Sequence, residues 1–213
     1  MRAVRSTVTV GGCGWAFVLM QPEDLHFPVI YHRRQIYFLE RAETNSRSYV
    51  GGPSGARIGG VEHGPRRLHH IATIATDCFE PLTRFSKGEP LRILYGLCYD
   101  GCTMEYRDSG RQIEILRIEP SCSRVDWPYP DYPSYLPFFP LKLQRRVVAT
   151  WDEFSQLSVQ PLEQVKEEAI ILIPSSPIWG MSLWGPWADG EGVQIVLKCD
   201  LTARTVIAHN QCG

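Results

Sequence analysis

Two cysteines and two histidines are the residues whose types come nearest to a metal site. Cys98 and Cys102 are separated by three residues, and His69 and His70 lie upstream of them. Thiolate and imidazole are good ligands for Zn²⁺, but a structural zinc site needs two tight pairs held on knuckles or a helix. Adjacent histidines on a strand point to opposite faces, so at most one could join a shared site. We therefore predict no metal site and interpret the cysteines as reduced thiols at a turn.

Nucleophilic and acid–base chemistry has no recognisable signature in this chain. Seven cysteines and six histidines offer many nucleophile–base pairings, but a dyad is defined by proximity in the fold. Neither a Gly-x-Ser-x-Gly elbow nor a His-Glu-x-x-His motif is present. Acid pairs such as Asp152 with Glu153 would need a defined separation across a cleft. We predict no catalytic residues and no cofactor. A small hydrolase or transferase with a cysteine, a histidine and an acid in a cleft is the alternative.

An aromatic and acidic turn near the C-terminus is the better candidate for function. Two tryptophans are followed at once by two acids that a glycine separates. Tryptophan anchors protein interfaces, and neighbouring acids steer basic partners. The alternative is that the tryptophans fill the core beneath a hairpin. We predict that the partner-binding residues are Trp184, Trp187, Asp189 and Glu191.

Strands dominate the predicted secondary structure. Apolar residues alternate with polar ones, or run continuously, between clusters of turn residues. The clearest hairpin turns at Asp108-Ser109-Gly110. The predicted strands are Thr7–Val10, Val29–Tyr31, Gln35–Leu39, Leu68–Thr76, Glu89–Gly96, Thr103–Arg107, Gln112–Glu119, Ile170–Pro174, Val193–Leu197 and Thr205–His209.

Two helices are expected before the C-terminal hairpin. Thr150 and Glu153 form a capping box, which predicts a helix that runs to about Ser158. Pro161 at a first helical position predicts a second helix that reaches Glu168. The fold class is therefore α+β, a mostly antiparallel sheet with one or two short helices inserted before that hairpin. The whole chain, 1–213, is interpreted as one domain, with a subdivision near 121–150 as the alternative.

Two loops have unusual composition. Tyr49–Pro65 is rich in glycine, but it lacks both a Gly-x-Gly-x-x-Gly pattern and a phosphate-binding lysine. We interpret it as an ordered structural loop rather than a ligand loop. Ser121–Pro140 is dense in proline and aromatic residues, which excludes a helix interior or a central strand there. We expect its aromatic residues to cover a core edge, with a proline-rich ligand segment as the alternative.

Composition excludes several classes of function. The net charge is −1 and the pI is about 6.6, so there is no basic excess for a dedicated nucleic-acid binder. No run approaches the roughly 18 apolar residues of a membrane span. An odd number of cysteines is typical of reduced thiols in a cytoplasmic protein. We predict a cytoplasmic protein that binds neither nucleic acid nor membrane.

The glycine turns resemble those of one bacterial family. Gly51-Gly52-Pro53, Gly59-Gly60 and Asp189-Gly190 look like the early and late glycine turns of the YwqG-like family of unknown function. The chain departs from that family's pattern after the first loop, where it has His70–Ile74. The resemblance implies a β-rich bacterial protein without a known catalytic centre, and some relatives are candidate antitoxins.

These observations together predict a bacterial, non-enzymatic protein that binds another protein. The specific hypothesis is an immunity protein, or antitoxin, that neutralises a secreted effector toxin by occlusion. The chain carries no catalytic signature, its charge is near neutral, and its aromatic and acidic turn suits a protein interface.

Overall fold

The structure is a computed structural model that describes residues 20–61, 68–75, 89–97, 99, 101–120, 135–163, 169–174 and 193–212. These residues form a mixed sheet of twelve strands, a 3-10 turn at Pro22–Asp24 and one short α-helix. The strands are β1 (Val29–His32), β2 (Gln35–Arg41), β3 (Ser48–Val50), β4 (Arg57–Gly60), β5 (His69–Ile74), β6 (Leu91–Tyr95), β7 (Cys102–Asp108), β8 (Gln112–Pro120), β9 (Phe139–Val148), β10 (Ala169–Pro174), β11 (Val193–Asp200) and β12 (Thr205–Cys212), and the helix is α1 (Trp151–Ser155).

The order across the sheet is β4-β8-β7-β12-β11-β10-β1-β2-β9-β3-β5-β6. Ten of the neighbouring pairs are antiparallel, and only β4 lies parallel to its neighbour, β8. The predicted C-terminal hairpin is confirmed, because β10 pairs with β11 from Ala169 opposite Cys199 to Pro174 opposite Gln194. This hairpin lies in the middle of the sheet.

The central strands are buried on both faces, so their sequences run apolar without a break. In β2, Tyr37 and Leu39 pack into a larger core, while Ile36 and Phe38 pack into a smaller core on the opposite face. This alternation follows from the two-residue period of a strand. The larger core extends along β5, β6, β7 and β11, and the smaller core lies under α1.

The helix α1 begins as the capping box predicts. The backbone N–H of Glu153 donates to Thr150 Oγ1 at 3.2 Å, and the Thr150 N–H donates to Glu153 Oε2 at 2.6 Å. The Phe154 ring then stacks on Tyr31 with the ring centroids 4.6 Å apart, which closes the smaller core. The predicted second helix is wrong at its start, because residues 161–163 are not helical; residues 164–168 lie outside the described ones.

The sheet curls so that β6, the strand at one end of it, lies against β7. Here β6 and β7 are joined by hydrogen bonds between side chains and backbone rather than by a backbone ladder. The N–H of Leu94 donates to the Tyr106 hydroxyl at 3.2 Å, and that hydroxyl donates to the Arg92 carbonyl at 3.0 Å. The Arg92 N–H donates to Asp108 Oδ2 at 2.8 Å. A further bond joins the same two strands: the Tyr95 hydroxyl on β6 accepts from the Cys102 N–H on β7 at 3.0 Å. Burial raises the pKa of both hydroxyls, so both stay protonated and able to donate.

The α+β prediction is wrong. The described chain is almost entirely sheet, and its one α-helix has five residues. The main omission was β9: its basic stretch Leu141–Arg146 was not predicted as a strand, yet β9 has ten residues and pairs along the whole of β2. In the part of the chain that the structure describes, no helix is long and apolar enough to cross a membrane.

Candidate binding surface

A cavity forms where the loop after β3 meets the segment before β9. Gly51 and Gly52 both have positive φ, 68° and 67°, which only glycine adopts without strain. The Gly52 N–H donates to the Leu136 carbonyl at 3.0 Å. A Cβ on Gly51 would lie 2.1 Å from the Pro137 carbonyl oxygen, so the two segments touch through bare backbone. The glycines therefore fix the position of the segment that leads into β9.

His70 holds the same glycines from the β5 side. Its Nδ1 lies 3.0 Å from the Gly51 carbonyl oxygen and 3.2 Å from that of Gly52. Both partners only accept, so Nδ1 carries the proton and Nε2 accepts from the Thr73 hydroxyl at 2.8 Å. Burial lowers the pKa of His70, because the charged imidazolium would lose its hydration. The ring is a neutral clamp with both nitrogens engaged.

A buried ion pair anchors the other end of the loop. The Arg92 Nε–H donates to the Ser54 carbonyl at 2.9 Å, and its Nη1 lies 3.1 Å from Asp108 Oδ1. The Asp108 carboxylate also accepts from the backbone N–H of Gly110 at 2.8 Å. With three donors on the carboxylate, the pair satisfies its buried polar atoms while it fixes Ser54.

The loop and the segment enclose about 540 Å³, a volume large enough to accept side chains or a small ligand. The cavity is lined by four residues of the loop, one side chain of β4, two residues in or just before β5, and one tyrosine. They are Pro53, Ser54, Gly55, Ala56, Ile58, Leu68, His70 and Tyr135.

Exposed large apolar side chains line this cavity, as Ile58 and Tyr135 do, or lie on the same two segments of the chain, as Val61 and Phe138 do. Tyr135 is 61% exposed and Phe138 is 59% exposed, while Ile58 and Val61 on the β4 side are 36% and 50% exposed. The Phe138 ring lies 5.3 Å from the ring of half-buried Tyr49. We call Ile58, Val61, Tyr135 and Phe138 the cavity-mouth surface. An exposed apolar group at a concave site is typical of a binding surface.

The aromatic and apolar residues of the proline-rich segment differ in burial along its described part. Leu136 and Phe139 are buried in the larger core, as expected for residues that cover a core edge. Phe138, between them in sequence, points outward, so the prediction is wrong for this residue. Residues 121–134 lie outside the described ones.

Two cysteines whose side chains the structure describes lie in the core, away from solvent. Cys102 and Cys199 are free thiols buried in the larger core. Burial raises the pKa of Cys102, which keeps the thiol protonated, whereas a nucleophile needs the thiolate. His69 and His70 are both buried in β5, and Cys98 lies outside the described residues. Over the described ranges, no three His, Cys, Asp or Glu side chains come together as metal ligands.

The residues predicted to bind a partner are not among the described ones. Trp184, Trp187, Asp189 and Glu191 are all outside the described residues, so their role stays a prediction. The cavity was missed because the glycine-rich loop was interpreted as purely structural. Its signal was the apolar Ile58 among the glycines, which lines the same cavity as Tyr135 of an aromatic segment distant in sequence.

Comparisons of this chain with protein-family models, with curated proteins and with solved structures found no match.

Proposed function

We propose that this is a non-enzymatic protein that binds another protein through the cavity-mouth surface. The observation that carries the proposal is the exposure of Tyr135, which lines a cavity of about 540 Å³, and of Phe138, which lies against Gly52 on the same segment. Tyrosine and phenylalanine are enriched in interfaces, since they bury large apolar areas and lose little side-chain entropy. The partner would insert an apolar side chain into the cavity and cover the rim.

The rigid backing of the surface supports binding by occlusion. His70 holds one end of the loop through a buried hydrogen bond and Arg92 holds the other through a partly buried one, so little of the surface needs to be ordered on binding. The buried, protonated Cys102 and the fully engaged His70 leave neither side chain ready for nucleophilic attack.

The more specific form of this proposal is an immunity protein in the bacterial cytoplasm that neutralises a secreted effector toxin. It rests on the resemblance of the glycine turns to the YwqG-like family, some of whose members are candidate antitoxins. The resemblance itself stays a prediction. In this form, the cavity-mouth surface would cover the active site of the toxin.

The test is affinity capture from the native bacterium, with quantitative mass spectrometry on three baits. The baits are the wild-type protein, the double variant Tyr135→Ser/Phe138→Ser, and the control Leu143→Ser, which also replaces an exposed apolar residue but lies along β9. We expect one protein to be enriched by the wild type and the control and lost from the double variant. Equal recovery on all three baits, or no enriched protein at all, would refute the proposal.

A further inference from the structure

Aliphatic groups form much of the cavity wall that the structure describes. They belong to Pro53, Ala56, Ile58 and Leu68. His70, which lines the same cavity, is neutral, because burial lowers its pKa. An apolar group placed against such a wall leaves water and gains contacts with carbon atoms, and both changes are favourable. The wall therefore suits an apolar occupant.

Two polar residues of the same wall already use their hydrogen-bonding groups within the protein. The Ser54 hydroxyl lies 3.3 Å from both the backbone nitrogen and the carbonyl oxygen of Ala56. The Ser54 carbonyl accepts from Arg92, and both ring nitrogens of His70 have partners. A backbone N–H buried against these groups would give up its bond to water and then compete with the existing bonds. Proline has no backbone N–H, so a proline can be buried here without this loss.

Tyr135 supplies a group that complements a proline-containing segment. It lines the cavity and is 61% exposed, so a bound chain can reach its hydroxyl and its ring. A phenolic hydroxyl donates to a carbonyl oxygen, and the residue before a proline carries such an acceptor. Aromatic rings line the grooves that bind proline-rich segments. Those segments hold a polyproline II conformation before they bind, so they lose little entropy.

A second exposed ring lies three residues further along the same segment. Phe138 is 59% exposed and lies against Gly52 of the loop. Its Cα is at most ~11 Å from that of Tyr135, because three residues of chain span no more. One turn of a polyproline II helix rises about 9 Å. A proline-rich segment of two turns is therefore long enough to contact both rings.

We propose that the cavity-mouth surface binds a proline-rich extended segment of the partner protein and that one proline of this segment enters the cavity. The Tyr135 hydroxyl donates to the carbonyl of the residue before that proline. The inference rests on the proposed function, because it names the kind of segment that the same surface recognises. His70 and Arg92 hold the loop in place before binding, so the wall is already formed when the segment arrives.

The test is a titration of the ¹⁵N-labelled full chain with synthetic peptides, followed by NMR. The probe is acetyl-Ser-Pro-Pro-Ser-Pro-Pro-Ser-amide. One control peptide has alanine in place of every proline. The other, acetyl-Ser-Leu-Ala-Ser-Leu-Ala-Ser-amide, keeps apolar side chains of similar total size but has every backbone N–H. We expect the probe to shift the amides of Gly55, Ala56 and Tyr135 with a Kd of ~1 mM or tighter, and both controls to bind about tenfold more weakly or worse.

Two variants of Tyr135 separate the hydroxyl from the ring. Tyr135→Phe keeps the ring and should weaken binding of the probe about fivefold, which corresponds to one hydrogen bond. Tyr135→Ala removes both groups and should weaken binding about tenfold or more. The control is Tyr49→Phe, which also removes one hydroxyl, but from a half-buried residue of β3. This control should bind the probe like the wild type.

Several results would overturn the inference. Equal binding of the leucine peptide would mean that the cavity accepts any apolar segment. An unchanged affinity of Tyr135→Phe would remove the hydroxyl from the site. A wild-type dimer that Tyr135→Ala dissociates would assign the surface to a second copy. If the probe shifts neither Gly55 nor Ala56 although a captured protein is lost from Tyr135→Ser/Phe138→Ser, the proposed function stands and this inference alone fails.

Discussion

Replacing Tyr106 by phenylalanine should open the seam between β6 and β7. The ring of Tyr106 is fully buried, and its hydroxyl bonds both the Leu94 N–H and the Arg92 carbonyl. Each buried bond contributes about 0.5–1.5 kcal/mol net, and each buried group left unsatisfied costs about 1–3 kcal/mol. Because neither backbone group can reach water without local opening, we expect the free energy of unfolding to fall by about 2–4 kcal/mol.

The assay is urea unfolding, with Tyr49→Phe as the matched loss of a hydroxyl. Tyr49 is half-buried, and its hydroxyl makes no hydrogen bond to the described residues, so this control should change stability by less than ~0.5 kcal/mol. Hydrogen exchange gives a second measurement, since the Leu94 amide should exchange faster in Tyr106→Phe alone. If both variants unfold at the same urea concentration and the Leu94 amide is unchanged, the hydroxyl does not hold the seam.

Two further predictions concern the loop behind the cavity. Gly51→Ala should lower the free energy of unfolding by several kcal/mol, because the new Cβ would collide with the Pro137 carbonyl. The Cβ of Gly55→Ala would meet nothing within 4 Å, so this control should lose only about 1–2 kcal/mol for its φ of 66°. Equal losses of stability in thermal unfolding would contradict the close contact at Gly51. Because the pKa of His70 is lowered below 6.5 in the fold, the unfolded chain binds the extra proton, so stability should decrease as the pH falls below about 6.5. His70→Gln should flatten this dependence only in part, since the pKa of His209 is lowered as well; an unchanged slope of unfolding free energy against pH would refute the role of His70.

The strands were predictable where apolar residues alone determine them. The run Ala169–Pro174 is buried on both faces, and its apolar sequence marks it as a strand. The two-residue period of a strand also accounts for Gln35–Leu39, where Tyr37 and Leu39 enter the larger core and Ile36 and Phe38 enter the smaller one. The capping box at Thr150 was predictable as well, because its hydrogen bonds join only Thr150 and Glu153, three residues apart.

Strand β9 could not be read in the same way. Residues 142–146 are exposed on both faces, so burial imposes no alternation on them, and their charged side chains have low strand propensity. The strand forms because β2 offers a ladder along its whole length, which is a long-range condition. The proline-rich stretch before it concealed the start of the strand at Phe139.

The candidate surface was hidden for a related reason. Ile58 and Tyr135 line one cavity although 76 intervening residues separate them in the chain. Their meeting depends on the curl of the sheet, on the backbone contact at Gly51 and on the His70 clamp. None of these contacts has a local sequence signature, whereas the tryptophan and acid turn at Trp187 stood out by composition alone.

The central claim is that the exposed aromatics at the cavity mouth bind a protein partner, and the affinity of Phe138→Ala tests it most directly. Calorimetric titration with the captured partner should show a loss of about 2 kcal/mol or more, the cost typical of an aromatic anchor. Because Phe138 is 59% exposed, the free energy of unfolding of the variant should differ from that of the wild type by only about 1 kcal/mol or less. An unchanged affinity for the partner would contradict the claim.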